Sequence, residues 1–269
     1  MRGSSPRMTA MNDAQPEILF EGVSKTFPRH DGGAAFEAVR DLSFTIGRGE
    51  LVAILGKTGC GKSTTFNLIS GLMRPSLGRV VVQGHDPYAD FAWFRGKIGI
   101  VFQNDRLMPW RTAIENVTLG LELNRMPRLQ RLEIAASWLA RLGLSGHEND
   151  YPHALSGGMR QRVSIARAFA GKPDILLCDE PFSALDEHTG NTLREEFRDL
   201  LRQTGATSIF ITHSIEEALR LGERLMVFER PARIAYEARL RADMSEAERE
   251  AVRESIRKVL SGGTAEDSQ

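Results

Sequence analysis

The sequence predicts an α/β protein in which a parallel sheet is covered by helices and interrupted by one inserted helical lobe. Three observations predict it. Two short runs, Leu51 to Leu55 and Ile175 to Cys178, are apolar throughout, as expected for strands buried on both faces. Segments with helical spacing alternate with strand-like segments over most of the chain, and that alternation builds parallel sheets through helical crossovers. Between residues 105 and 157 the alternation stops and the pattern is helical only.

The elements follow in order. Residues 1–16 are polar with little periodicity and are expected to be a loose tail, with Met8 and Met11 as alternative starts. Ile18 to Phe27 alternates as a strand, Asp31-Gly32-Gly33 signals a turn, and Ala38 to Ile46 is a second strand. After the Gly47–Glu50 turn and the Leu51 run, a helix is expected over Lys62 to Ser70, ended by Gly71 with Pro75 beyond. Arg79 to Gln83 and Ile98 to Gln103 are the next strands. Helical spacing occupies residues 105–151, and a further helix at 158–170 is stopped by Gly171 and Pro173. Beyond Cys178 the sequence predicts a helix over Thr192 to Gln203 and a strand over Ser208 to Thr212. A helix over Ile215 to Leu221 and a strand over Arg224 to Phe228 follow. Ser245 to Leu260 is a last helix, opened by a Ser245…Glu248 capping box and followed by Gly262. The main domain is thus expected over 17–230, with a mostly helical extension over 231–269 whose charged helix reads as a solvated face.

Composition narrows the function. The 269 residues are 41% hydrophobic and 26% charged, an ordinary globular balance. Thirty-five basic and 35 acidic residues cancel, which argues against a general polyanion or nucleic-acid binder. No apolar run reaches the length of a transmembrane helix, and the N-terminal residues lack the apolar core of a secretory signal. Cys60 and Cys178 are the only cysteines, so a structural disulfide is not expected and a reducing cytoplasm fits.

Gly56-Lys57-Thr58-Gly59-Cys60-Gly61-Lys62-Ser63 fits the phosphate-loop pattern G-x-x-x-x-G-K-[ST]. Glycines let the backbone curl so that successive N–H groups point at phosphate oxygens. The following helix adds its N-terminal dipole and unpaired N–H groups, which Ser63 and Thr64 would carry. Lys62 supplies a positive charge to the β- and γ-phosphates and Ser63 a hydroxyl ligand to Mg²⁺. Cys60 reads as a small residue filling the loop in preference to a redox switch. Downstream, Asp179 and Glu180 end the apolar strand that starts at Ile175. Asp179 can hold the Mg²⁺ shell and Glu180 can polarise a water for attack on the γ-phosphate.

With these, Leu155-Ser156-Gly157-Gly158-Met159 and the run Arg160 to Ala168 resemble the signature LSGGQ and its sequel in ABC transporter ATPase subunits, with Met159 in place of Gln. Gln103, Ser183-Ala184-Leu185-Asp186 and His213 match the family's Q-loop, D-loop and switch histidine, in the family's order. The resemblance covers about 17–230. It implies a P-loop NTPase fold: a RecA-like parallel-sheet core, an antiparallel β subdomain and an inserted α-helical lobe. It also implies that Gln103 reaches Mg²⁺ and the attacking water, that His213 lies near the γ-phosphate, and that Phe27 stacks on adenine. Ser156, Gly157 and Gly158, with Asp186, would serve the nucleotide held by a second ATPase subunit in a head-to-tail dimer. Whether that partner is an identical copy stays open.

A Pro109-Trp110 pair six residues after Gln103 resembles importers of nitrate, sulfonate, taurine and related small anions. Trp110 reads both as a core aromatic of the lobe and as an anchor for a short permease helix. His188-Thr189-Gly190 and Ser214 depart from that subfamily's usual residues. The resemblance implies an ATPase at the cytoplasmic face of a membrane that drives a separate permease and, indirectly, an extracytoplasmic binding protein. An exporter or lipid-handling ATPase is the alternative. A chromosome-scaffold ATPase would need long heptads between loop and signature. Those motifs lie about a hundred residues apart with no heptad run. A translation factor of ABC type would carry two such cassettes, and this chain carries one.

Overall fold

The computed structural model describes residues 15–28, 35–183 and 187–262. The expected tail up to residue 14 and the Asp31-Gly32-Gly33 turn lie outside these residues, as does Asp186.

Two sheets form the scaffold. The smaller one joins β1 (Ile18–Phe27), β2 (Phe36–Ile46) and β4 (Leu77–Val82) in the order β2-β1-β4, all antiparallel. Phe20 and Phe44 sit opposite each other across β1 and β2, and their rings stack with centroids 4.5 Å apart, a cross-strand pair that pins the register. The larger sheet adds β3 (Leu51–Gly56), β5 (Ile98–Val101), β6 (Ile175–Asp179), β7 (Thr207–Thr212), β8 (Arg224–Glu229) and β9 (Arg233–Arg239). Its order is β5-β6-β7-β3-β8-β9, parallel except for the antiparallel edge strand β9. All six residues of β3 are buried, because the strand lies between β7 and β8 with both faces covered.

The helices are α1 (Lys62–Ile69), α2 (Ala113–Leu123), α3 (Arg128–Arg141), α4 (Gly157–Ala170), α5 (Glu187–Thr204), α6 (Ile215–Leu221) and α7 (Glu246–Gly262). Buried residues of α2, α3, α4 and α5 share one apolar core with Val101, Leu176 and Phe210. A second core, containing Phe20, Ile54, Phe66 and Ile211, joins the two sheets across α1.

Several expectations need correction. Residues 105–112 are not helical. Helix α2 starts at Ala113, behind a Thr112–Glu115 capping box. Buried Asn116 on α2 holds that segment: its Nδ2 donates to Met108, Arg111 and Thr112 carbonyls, and its Oδ1 accepts from Met108 N. Trp110 is 71% exposed, so it is not a core aromatic. Strand β5 ends at Val101, leaving Gln103 two residues beyond it. Gly262 is the last residue of α7 and does not follow it. Strand β9 was not expected at all, because its edge position keeps charged residues at alternate sites. Helix α7 is amphipathic and docks: Ile256 is fully buried, and Val252 and Val259 pack with it against a core under β3, β8 and α6.

Candidate functional site: a nucleotide-binding loop and a carboxylate cluster

Buried β3 delivers the chain to the glycine-rich loop, and α1 leaves it. Gly61 caps α1 with φ +101°, and a Cβ there would lie 2.4 Å from Ala38 O and 2.6 Å from Ala232 Cβ. Gly56 is equally tight, with Cys60 Sγ at 2.6 Å and Phe228 O at 2.7 Å from the same imagined atom. Gly59 has open space but a φ of +79° that disfavours side chains. Backbone hydrogen bonds between Ala38, Arg40 and Ala232 hold the wall against Gly61. Lys57, Thr58, Gly59 and Ser63 are exposed at the rim, and Thr64 is half-buried. Lys62 is buried, and its Nζ donates to Gly56 O at 2.6 Å and Lys57 O at 3.0 Å, so the ammonium is held inside the loop. Cys60 is buried and its thiol is pushed up, by desolvation above all, so it stays protonated and packs as a filler.

The ends of three neighbouring strands converge beside the loop. Asp179 ends β6. Its carboxyl is pushed above the usual range, first by burial and then by Glu180, against the pull of Lys62 and Arg106. Glu180 follows in a left-handed conformation (φ +45°), rare for a side-chain-bearing residue. That backbone is pinned by Glu180 N to Ile211 O (2.9 Å) and by Ser183 N and Oγ to Glu180 O (3.2 and 3.0 Å). Glu180 Oε2 then meets His213 Nδ1 at 3.0 Å and accepts from Gln103 Nε2 at 3.4 Å. Gln103 follows β5, Glu180 follows β6 and His213 follows β7, and these strands are adjacent in the sheet. The order β5-β6-β7 thus assembles residues 77 and 33 positions apart.

Ser156 caps α4, its Oγ accepting from Met159 N at 3.3 Å, with exposed Gly157 and then Gly158 in the first turn. Met159 packs on the helical core, which accounts for an apolar residue there. Among the described residues no hydrogen bond joins Ser156, Gly157 or Gly158 to the phosphate loop. Phe27 is half-buried beside Phe36, with ring centroids 6.5 Å apart and Lys25 Nζ 5.4 Å above its ring.

Sequence reasoning missed a set of arginines around Gln103. Arg160 donates to Asp105 (2.9 Å) and Leu155 O (2.8 Å), and Arg167 donates to the carbonyls of Asp105 (2.6 Å) and Arg106 (2.8 Å). The Arg106 guanidinium covers the Phe102 ring at 4.0 Å. Seven-residue spacing puts Arg160 and Arg167 on one face of α4, a signal that was available. Together they tie the segment after Gln103 to the helix that starts at Ser156.

A glycine loop pinned between a buried parallel strand and a helix, with a carboxylate pair at the end of another strand of the same sheet, defines a P-loop nucleoside-triphosphatase. Residues 39–183 match the family model described as ABC transporter. The chain is similar to the taurine import ATP-binding protein TauB of Yersinia pestis bv. Antiqua, at 46% identity over 71% of this chain and 73% of that protein. It is also similar to the nitrate import ATP-binding protein NrtC of Synechococcus elongatus, at 39% identity over 73% of this chain and 29% of that longer protein. A dimeric ATP-binding cassette in a post-hydrolysis state, bound to ADP and Pi, superposes with a TM-score of 0.75 at 35% identity, over 84% of this chain and 99% of that one. The chain belongs to the ABC transporter family, as an ATP-binding and ATP-hydrolysing subunit. No helix among the described residues is long and apolar enough to cross a membrane.

Proposed function

We propose that this chain is the motor of an importer for a small anion of the taurine or nitrate kind, working through a separate permease at the cytoplasmic face of the membrane. The observation that carries the chemistry is the shared contact of Gln103 and His213 with Glu180 Oε2. Glu180 is the general base that takes a proton from the attacking water, and Gln103 and His213 orient water and carboxylate. Lys62, with Lys57, Thr58, Gly59, Cys60, Gly61, Ser63 and Thr64, holds the triphosphate, and the loop's crowded glycines fit that use, since a Cβ at Gly56 or Gly61 would displace the backbone. Phe27 supplies the adenine platform.

Mg²⁺ fits the donor set of an exposed Ser63 hydroxyl, the Asp179 carboxylate and the Gln103 amide. When bound it neutralises phosphate charge. Burial first, and Glu180 second, raise the Asp179 carboxyl, a cost that a bound cation would offset.

Ser156, Gly157 and Gly158, with Asp186, grip the nucleotide of a second copy, so ATP holds two subunits together until hydrolysis frees them. The contacts of Arg160 and Arg167 on the segment after Gln103 support transmission of that closure to the exposed Trp110 region, where the permease docks. A binding protein outside the membrane delivers the cargo to the permease.

The deciding experiment reconstitutes the chain with its permease and binding protein in vesicles. ATP supplied on the side of this chain should drive labelled taurine or nitrate toward that side. Movement of the solute away from it would identify an exporter.

A further inference from the structure

A second concavity, of about 1060 Å³, lies between α5, α6, the β9–α7 connection and α7, apart from the nucleotide loop. Eight arginines line it against four glutamates, although the whole chain has zero formal charge. The spacing explains the concentration. Arg194, Arg198 and Arg202 recur every fourth residue on α5, and Arg249 and Arg253 do so on α7, so two arginine stripes line one cleft. Like charges at that spacing are destabilising by themselves.

Part of this charge is matched. Arg194 donates to Glu217 (2.8 Å), Arg253 to Glu216 (2.8 Å) and Arg241 to Asp243 (3.0 Å). The rest is not. Among the described residues, the guanidinium groups of Arg202, Arg239 and Arg249 have no ion-pair or hydrogen-bond partner. Arg198 pairs with Glu195 through its Nη2 at 3.5 Å, but its Nε is buried with no hydrogen-bond acceptor, a carboxylate oxygen of Asp199 standing 4.0 Å away. A guanidinium N–H withheld from water and from an acceptor is unfavourable, and fixed arginine forks match phosphate oxygens bidentately. The cleft is too large and too charged for one phosphate.

We propose that this cleft binds a group bearing two or more linked phosphates, either a soluble oligophosphate or a lipid headgroup. It is placed to reach the nucleotide site. Its lining includes Ser214, the residue after His213, and Glu217, which also accepts from Thr212 Oγ1 at 2.6 Å.

The test keeps the phosphate loop occupied. Full-length protein saturated with Mg²⁺ and a non-hydrolysable ATP analogue is titrated calorimetrically with inorganic tripolyphosphate, and sedimented in parallel with cardiolipin vesicles. Saturable binding is expected in at least one arm, weakened at least about tenfold in Arg202→Ala/Arg249→Ala and in Arg239→Ala. Affinity for the ATP analogue should be unchanged in both variants, which also verifies their folding. Binding of tripolyphosphate alone identifies a soluble ligand, and capture by vesicles alone identifies a headgroup. No saturable binding in either arm, or equal binding by wild type and both variants, would overturn the proposal. Failure of the analogue itself to bind would count against the nucleotide site instead.

Discussion

Glu180 Oε2 stands 3.0 Å from His213 Nδ1, although 33 residues separate them and neither belongs to a strand. The contact exists because β6 and β7 are parallel neighbours that release their chains at the same edge of the sheet. Glu180 is held there in a strained backbone, which fixes its carboxylate before any substrate arrives.

Replacing Glu180 by Gln keeps shape and hydrogen bonding but removes the proposed base. Turnover of ATP should fall by about 10²–10⁴ while ATP affinity stays the same. Size-exclusion chromatography with ATP and magnesium should show this variant accumulating as a dimer. Wild-type hydrolysis rates in the variant would assign the base elsewhere.

Two glycines of the loop should respond differently to alanine. Gly59→Ala meets open space and carries only the left-handed backbone penalty, about 1–2 kcal/mol. Gly61→Ala carries the same penalty and drives a methyl into Ala38 O, so its melting temperature should fall further. Calorimetric melting of both settles the ranking, and equal losses would contradict the packing described here.

Asp179 links stability to pH with an unusual sign. Burial raises its carboxyl, so the folded state disfavours the ionised form. That cost is absent below the unfolded value of about 3.9 and appears as pH rises through the raised folded value. Nucleotide-free Asp179→Asn should therefore melt at or above the wild-type temperature near pH 8, with the gap closing toward about pH 4. A variant that melts lower at the higher pH would refute the assignment of strain to this charge.

Trp110 distinguishes core from interface. At 71% exposure, Trp110→Ala should change stability by less than about 0.5 kcal/mol. Its association with the permease should weaken by about 2 kcal/mol or more, as for an aromatic anchor. Co-purification and thermal melting together read the two effects.

The Arg160–Asp105 pair is half-exposed, so a double-mutant cycle should give a coupling of only about 0.5–1 kcal/mol in stability. Its larger effect is expected in transport. Asp105→Ala should lower cargo uptake per ATP hydrolysed, and an unchanged ratio would remove this pair from the coupling route.

Local chemistry was legible from the chain alone. The phosphate loop and the apolar strands before it and before Asp179 depend on residues within one turn or strand of each other, and their spacing carries the information. The non-helical segment 105–112 and strand β9 were not legible, because each is held by distant partners. Asn116, Arg160 and Arg167 hold the segment, and β8 holds β9. The charged face of α7 was visible, but nothing local says that it meets the arginine stripe of α5.

The sequence by itself determined the glycine-rich loop, its lysine and the helix that follows, since glycine conformation, lysine charge and a helix start are local properties. Only the tertiary structure decided that Gln103, Glu180 and His213 share one oxygen, that Trp110 faces solvent, and that two cationic helix faces line one cleft. Sheet order and helix docking are set by the summed burial of the whole core, and no single stretch of chain encodes that sum.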